Sequence, residues 1–239
     1  MKIPVVKEHG SWAVFILAGT AGITAAFLTR PWQRGREFSV ITLLTVAGMA
    51  LLINSKSPLS AALRPGGQVK KHFLWFVFFS VTGLVLLVPF LARGGKQFLF
   101  FSPLVLSYVI LLWRGKEHHF LAELNGFALL TLSAPIIYFV ITGDMSVRLY
   151  LAVFIFFAAG VFKVRARAKK TPGYRLLMVL YCAASPVLYH FLNIPAVLLI
   201  PLVENVVSVL RLREEKLRTT GNTELIKGVV FTALLGFFW

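Results

Sequence analysis

FLWFVFFSVTGLVLLVPFLAR, residues 73–93, decides the fold. Twenty residues pass before its first charge, Arg93, and three-quarters of them are Phe, Leu, Val or Trp. About 20 apolar residues in a helix reach across the hydrocarbon core of a bilayer. The rest of the chain repeats the theme. Its 239 residues are 58% hydrophobic and only 14% charged, with a mean hydropathy of +0.80. A soluble core of this length cannot bury so many large apolar side chains. In lipid the backbone must satisfy its own hydrogen bonds, and the helical length of these runs implies an all-α integral membrane protein.

Working outward from that run, candidate spans fall near 11–29, 38–54, 73–93, 97–113, 120–142, 146–164, 174–191, 194–211 and 222–239, about nine transmembrane helices in one domain, 1–239. The gaps between them hold Pro, Gly and charge, as in RPWQRGRE, RGGK and RARAKKTPGY. If the spans alternate direction, one side of the membrane carries 18 Lys and Arg and the other 6, with Lys227 inside the last span. Basic residues concentrate on cytoplasmic loops, so the N-terminus is expected in the cytoplasm and the protein in the cell membrane. The net charge of +16 is then a topology signal and implies no nucleic-acid partner. No small-residue cleavage site follows the first apolar run, which reads as a retained helix. The single cysteine, Cys182, lies in an apolar run and leaves no intramolecular disulfide or thiolate cluster to build.

One short motif occurs twice. VVKEHGSWAVFILAG (5–19) and GKEHHFLAELNGFAL (115–129) each set Lys-Glu-His before an apolar run, 109 residues apart. That offset lays span 1 on span 5 and span 2 on span 6. It suggests two parallel four-helix repeats, 1–110 and 111–211, with a final helix at 222–239. Coincidence of three residues is the competing explanation.

Polar groups are costly in a bilayer, about 2.5–3.5 kcal/mol for a charge at mid-helix, so their positions are informative. Glu8 and His9 stand at the entry of span 1, and Asn54 at the exit of span 2. Glu123 and Asn125 fall one turn into span 5, and Lys163 and Arg165 end span 6. Glu204 and Asn205 lie in span 8, Glu224 and Lys227 in span 9. Nearly all belong to the cytoplasmic half, which suggests a polar cavity open to the cytoplasm. Each also has a structural explanation: Glu8 and His9 as interface anchors, Glu224 and Lys227 as a local pair three residues apart, and end-of-helix Lys and Arg as snorkelling side chains. Pro135, Pro186 and Pro201 stand inside spans 5, 7 and 8, each freeing a backbone carbonyl. Five histidines show no helical metal-site spacing, and no Walker or dinucleotide motif occurs, so no metal site or cofactor is assigned.

KEHGSWAVF, AELNGFALLTLSAPIIYF, VFKVRARAKKTPGYR and TELIKGVVFTALL, spread over nearly the whole chain, resemble the YwiC-like family of bacterial membrane proteins. The resemblance brings no reaction with it. The N-in, nine-helix plan is also similar to the UbiA-type intramembrane prenyltransferases, whose Asp-rich motifs at the ends of helices 2 and 6 hold Mg²⁺ against an isoprenyl diphosphate. Here span 2 ends INSKSPLS and span 6 ends FKVRARAKK, and the one Asp, Asp144, falls on the other side. Hard Mg²⁺ needs carboxylate oxygens, so that site is missing. Basic side chains could hold a phosphate directly instead, with contact to anionic lipid as the plainer alternative.

The resulting expectation is a cytoplasm-facing cavity binding an isoprenoid or other anionic lipid, with transferase chemistry as an extension. Glu8, His9 and Glu123 would be the catalytic or proton-moving groups. Asn54, Asn125, Lys163, Arg165, Glu204, Asn205 and Lys227 would bind the substrate. Membrane lipids, including an isoprenoid phosphate, are the expected partners. A small proton-coupled transporter and a non-catalytic membrane subunit are the alternatives.

Overall fold

The computed structural model describes residues 9–28, 39–63, 69–115, 119–210 and 217–239, and among these residues every regular element is a helix. The elements are α1 (His9–Leu28), α2 (Val40–Leu63), α3 (Val69–Ala92), α4 (Ser102–Trp113), α5 (Phe120–Thr131), α6 (Ser133–Thr142), α7 (Val147–Lys169), α8 (Pro172–Phe191), α9 (Val203–Leu210) and α10 (Leu217–Phe238). Short 3₁₀ segments, Gly95–Phe101 and Ala196–Leu202, lead into α4 and α9. Six stretches are long and apolar enough to cross a membrane: Gly10–Leu28, Val40–Leu63, Val69–Ala92, Gly95–Trp113, Phe120–Thr142 and Val147–Lys169. Ala196–Ser208 is a shorter apolar helix. α8 and α10 have crossing length, 20 and 22 residues, but carry polar groups turned inward, as the contacts below show.

α7 is the hub. Leu149, Val153, Phe156, Val161 and Lys163 are all buried on it, and α1, α5, α6, α8, α9 and α10 pack around it. Two tyrosines of α8 zip onto its backbone: Tyr189 Oη donates to the Ala152 carbonyl and Tyr181 Oη to the Ile155 carbonyl, each at 2.7 Å. The order is reversed, so α7 and α8 are antiparallel. α10 also runs antiparallel to α7, with Phe231 stacked on Phe156 at a centroid distance of 4.1 Å and Glu224 meeting Lys163 further along. α1 and α10 are parallel, since Leu17 lies over Gly228 while Thr24 and Leu28 lie over Gly236.

α2 and α3 form a hairpin that packs more on itself than on the rest. They touch at two glycines. A Cβ on Gly48 would stand 2.9 Å from the Gly83 carbonyl oxygen, and one on Gly83 would stand 2.9 Å from the Gly48 carbonyl oxygen. Leu52 and Leu87, each four residues beyond its glycine, cover the partner glycine. Only small residues allow backbones to approach this closely.

Boundaries differ from expectation where proline and serine mislead. The apolar run of span 2 stops at Asn54, yet α2 continues through Pro58 to Leu63 and α3 already starts at Val69, so the connection between them is short. Ser55 Oγ donates to the Leu52 carbonyl at 2.7 Å, keeping its polarity on the helix surface. Span 5 is broken at Leu132 into α5 and α6. Pro135 has no N–H for the Thr131 carbonyl, and Ser133 Oγ donates to the Leu130 and Phe15 carbonyls, tying the break to α1. Span 8 is likewise two pieces around Pro201.

Candidate functional site

Where α7 ends and α10 begins, four charged side chains close into a ring. Lys163 of α7 is fully buried; its Nζ lies 2.5 Å from Glu204 Oε2 of α9 and 2.9 Å from Glu224 Oε1 of α10. Lys227, one turn beyond Glu224, is 5% exposed; its Nζ lies 2.5 Å from Glu224 Oε1 and 3.1 Å from Glu204 Oε2. Each lysine therefore touches both carboxylates, and each carboxylate uses one oxygen to bridge both lysines. Two positive and two negative charges alternate, and the ring is neutral. Burying charge is tolerated only where partners are this close.

Side chains around the ring complete it. Asn205, fully buried and next to Glu204, accepts a hydrogen bond from Lys227 through Oδ1. Its buried Nδ2 has no nitrogen or oxygen acceptor; its hydrogen-bonding neighbour is the Cys182 thiol of α8, a weak sulfur acceptor that also lies within electrostatic reach of Lys227, Glu224 and Lys163. The second oxygen of Glu224 lies over Gly160, 3.4 Å from where a Cβ would be. Nearer the end of α7, Arg167 donates to Thr220 Oγ1 of α10. Among the described residues, no three His, Cys, Asp or Glu side chains gather as metal ligands.

Lys163, Glu204, Asn205 and Lys227, expected to bind substrate, thus meet at one point. Arg165 is adjacent but separately engaged: its Nε donates to Glu123 Oε2 at 2.7 Å, and its guanidinium lies 5.5 Å from the Phe120 ring centre. Glu123 is accordingly half of an α5–α7 ion pair. Asn125 turns away toward α4, donating to the Leu104 carbonyl at 3.1 Å and Ser107 Oγ at 2.6 Å. Asn54 sits on α2, which packs on α3, α6 and α4 and not on the ring helices. His9 begins α1 with its side chain outside the described residues. Glu8 and the second Lys-Glu-His, residues 116–118, also fall outside them. Glu224 had been readable only as the local partner of Lys227; its reach to Lys163 crosses 61 residues and leaves no mark in the sequence.

A model of the YwiC-like protein family matches residues 5–138. Glu123 and Asn125 lie inside that stretch, whereas all four charges of the ring lie beyond it, as do VFKVRARAKKTPGYR and TELIKGVVFTALL. No curated protein and no solved structure matches the chain. With several long apolar helices and more than half its length matched, this is a multi-pass helical membrane protein, and it belongs to the YwiC-like family.

Proposed function

We propose that the ring holds the phosphate-bearing headgroup of an isoprenoid or other anionic lipid, in a UbiA-like plan of nine crossings with the N-terminus in the cytoplasm of the cell. The observation that carries this reading is the meeting of Lys163 and Lys227 on shared carboxylate oxygens within a largely apolar bundle. Charge is costly there, and lysine ammoniums with a spare amide N–H are the donors a phosphate oxygen needs. The carboxylate side chains stay 38% and 27% exposed beside lysines at 0% and 6%, which supports an opening on the carboxylate side. Exposed leucine, valine and phenylalanine along the helices suit a lipid tail. The 18-to-6 distribution of basic residues supports the orientation, and the parallel course of α1 and α10 agrees with an odd number of crossings. The two Lys-Glu-His stretches fit two four-helix repeats.

Any group transfer at this site would proceed without the carboxylate-held Mg²⁺ of the UbiA type. The ring's donors would hold the headgroup, and Glu123, tied to Arg165, would have to leave that pair to act on a proton. A second reading, a proton-coupled transporter, is favoured by the two carboxylates set among membrane helices.

Thermal unfolding in detergent tests the first reading. Farnesyl diphosphate is expected to raise the melting temperature equally with Mg²⁺ and with chelator, since a ligand at 100 times its Kd adds about 2.7 kcal/mol. The shift should vanish in Lys163→Met and Lys227→Met. An equal shift from inorganic diphosphate would remove the lipid tail from the proposal, and no shift from either ligand would end it.

A further inference from the structure

We infer that an anion enters the ring only by exchange: Glu204 takes up a proton, releases the two lysines, and the headgroup oxygen takes its place. This rests on the reading of the ring as a headgroup site. Lys163 and Lys227 are matched by Glu204 and Glu224, so the cluster has no net positive charge to offer. An anion arriving alone would leave it negative in a medium of low dielectric, where uncompensated charge is strongly disfavoured. A proton taken up by one ring carboxylate as one anionic ligand oxygen replaces it keeps the cluster neutral, with the rest of the headgroup toward the exposed carboxylate side.

Geometry selects Glu204 as the exchanging carboxylate. At 38% it is the most exposed side chain of the four, and one of its oxygens, Oε2, makes both lysine contacts. A proton on that carboxylate loosens both at once. Glu224 is the fixed partner, held by Lys227 at i,i+3 on its own helix and lying against Gly160. α7 brings Lys163, α10 brings Glu224 and Lys227, and α8 brings Cys182. Arg165 and Glu123, from α7 and α5, satisfy each other, and Arg167 is bonded to Thr220. Residues 10–28 of α1 contain no charged side chain.

One covalent bond forms, the O–H on Glu204, and one breaks, the bond to hydrogen in the hydronium ion or buffer acid that delivers the proton. The conjugate base of that acid stays in the aqueous phase. The lysine N–H donors turn from Glu204 Oε2 to the ligand oxygen, and Asn205 Nδ2, buried with only the weakly accepting Cys182 sulfur beside it, supplies a further donor. The ligand class follows: an amphiphile that presents one negative charge to the ring for each proton taken up.

The test is titration calorimetry of the full chain in detergent with farnesyl diphosphate, in buffers of differing ionisation enthalpy. Subtracting the Glu204→Gln result removes the ligand's own titration. Wild type is expected to take up one proton more per ligand than Glu204→Gln. Its affinity should fall about tenfold per pH unit relative to that variant, the slope of one linked proton. Glu204→Asp should keep the uptake. Equal proton uptake in wild type and Glu204→Gln would overturn the exchange while leaving the headgroup site standing; no binding by wild type at any pH would overturn both. Should Glu204→Gln fail to fold, infrared difference spectra of wild type decide the matter. Ligand must bring up the carbonyl stretch of a protonated carboxyl group, and its absence overturns the exchange.

Discussion

Lys163 has no exposed surface, and it sits among the buried Phe162, Val161 and Gly160 of α7. It is stable there because two carboxylates reach it from other helices. Replacing it with Met leaves Glu204 and Glu224 competing for Lys227. The expected loss is on the order of 3 kcal/mol, at the low end for a broken buried pair because the carboxylates are partly exposed. Adding Glu204→Gln restores the charge balance, and the double variant should regain about 1–2 kcal/mol in thermal unfolding. A double variant no more stable than the single would mean that the ring carries no coupling. Tyr189→Phe removes only the bond from its hydroxyl to the Ala152 carbonyl, and should cost about 1 kcal/mol. At this scale the sequence was half legible. Charges inside apolar runs stand out, so Lys163, Glu204 and Lys227 could be picked individually. Their partners could not, because only Glu224–Lys227 is local; the Lys163–Glu204 contact bridges 41 residues.

The helices themselves were more legible, because hydrophobic length needs no knowledge of tertiary neighbours. What misled was local chemistry with two outcomes. Ser-Lys-Ser-Pro after Asn54 reads as a loop, but serine hydroxyls can return to helix carbonyls and proline removes only one hydrogen bond, so α2 runs on. Pro135 announced a disturbance in span 5, but the break at Leu132 also needs Ser133 to find the Phe15 carbonyl of α1, which no local pattern records. The α2–α3 contact gives a prediction at this scale. Gly48→Val puts branched carbon where only 2.9 Å separates a Cβ from the Gly83 carbonyl oxygen. The hairpin must part, costing about 1–3 kcal/mol as overpacking does. Gly10→Val, with nothing within 4 Å of its Cβ position, controls for helix propensity alone. Protease sensitivity of the hairpin relative to wild type would show the difference.

For the whole molecule, the direction of the ends is the sharpest statement. α1 and α10 run parallel, so a reporter before Met1 and one after Trp239 should report opposite sides of the membrane. With the orientation proposed above, an alkaline phosphatase fused after Trp239 should be active and one fused at the N-terminus inactive. Equal signals from both would contradict the parallel arrangement. At the end of the bundle where α10 finishes, Arg148 lies 5.0 Å from the Trp239 ring centre and donates to the Asn193 carbonyl. Basic residues carry the orientation expected from the sequence, because each acts on its own at the membrane surface. The docking of α10 between α1 and α7 was not readable, because it depends on glycines that look like any others until a neighbour arrives.

The ring also sets an order of assembly. α2 and α3 can settle against each other as soon as both have been made, since their contact needs nothing later in the chain. Lys163 has to wait: its first carboxylate is synthesised 41 residues after it, and the ring closes only once Lys227 has been made. Until then the nascent chain carries a cation whose partners belong to helices that do not yet exist. Burial of this one side chain of α7 is thus coupled to the arrival of α9 and α10.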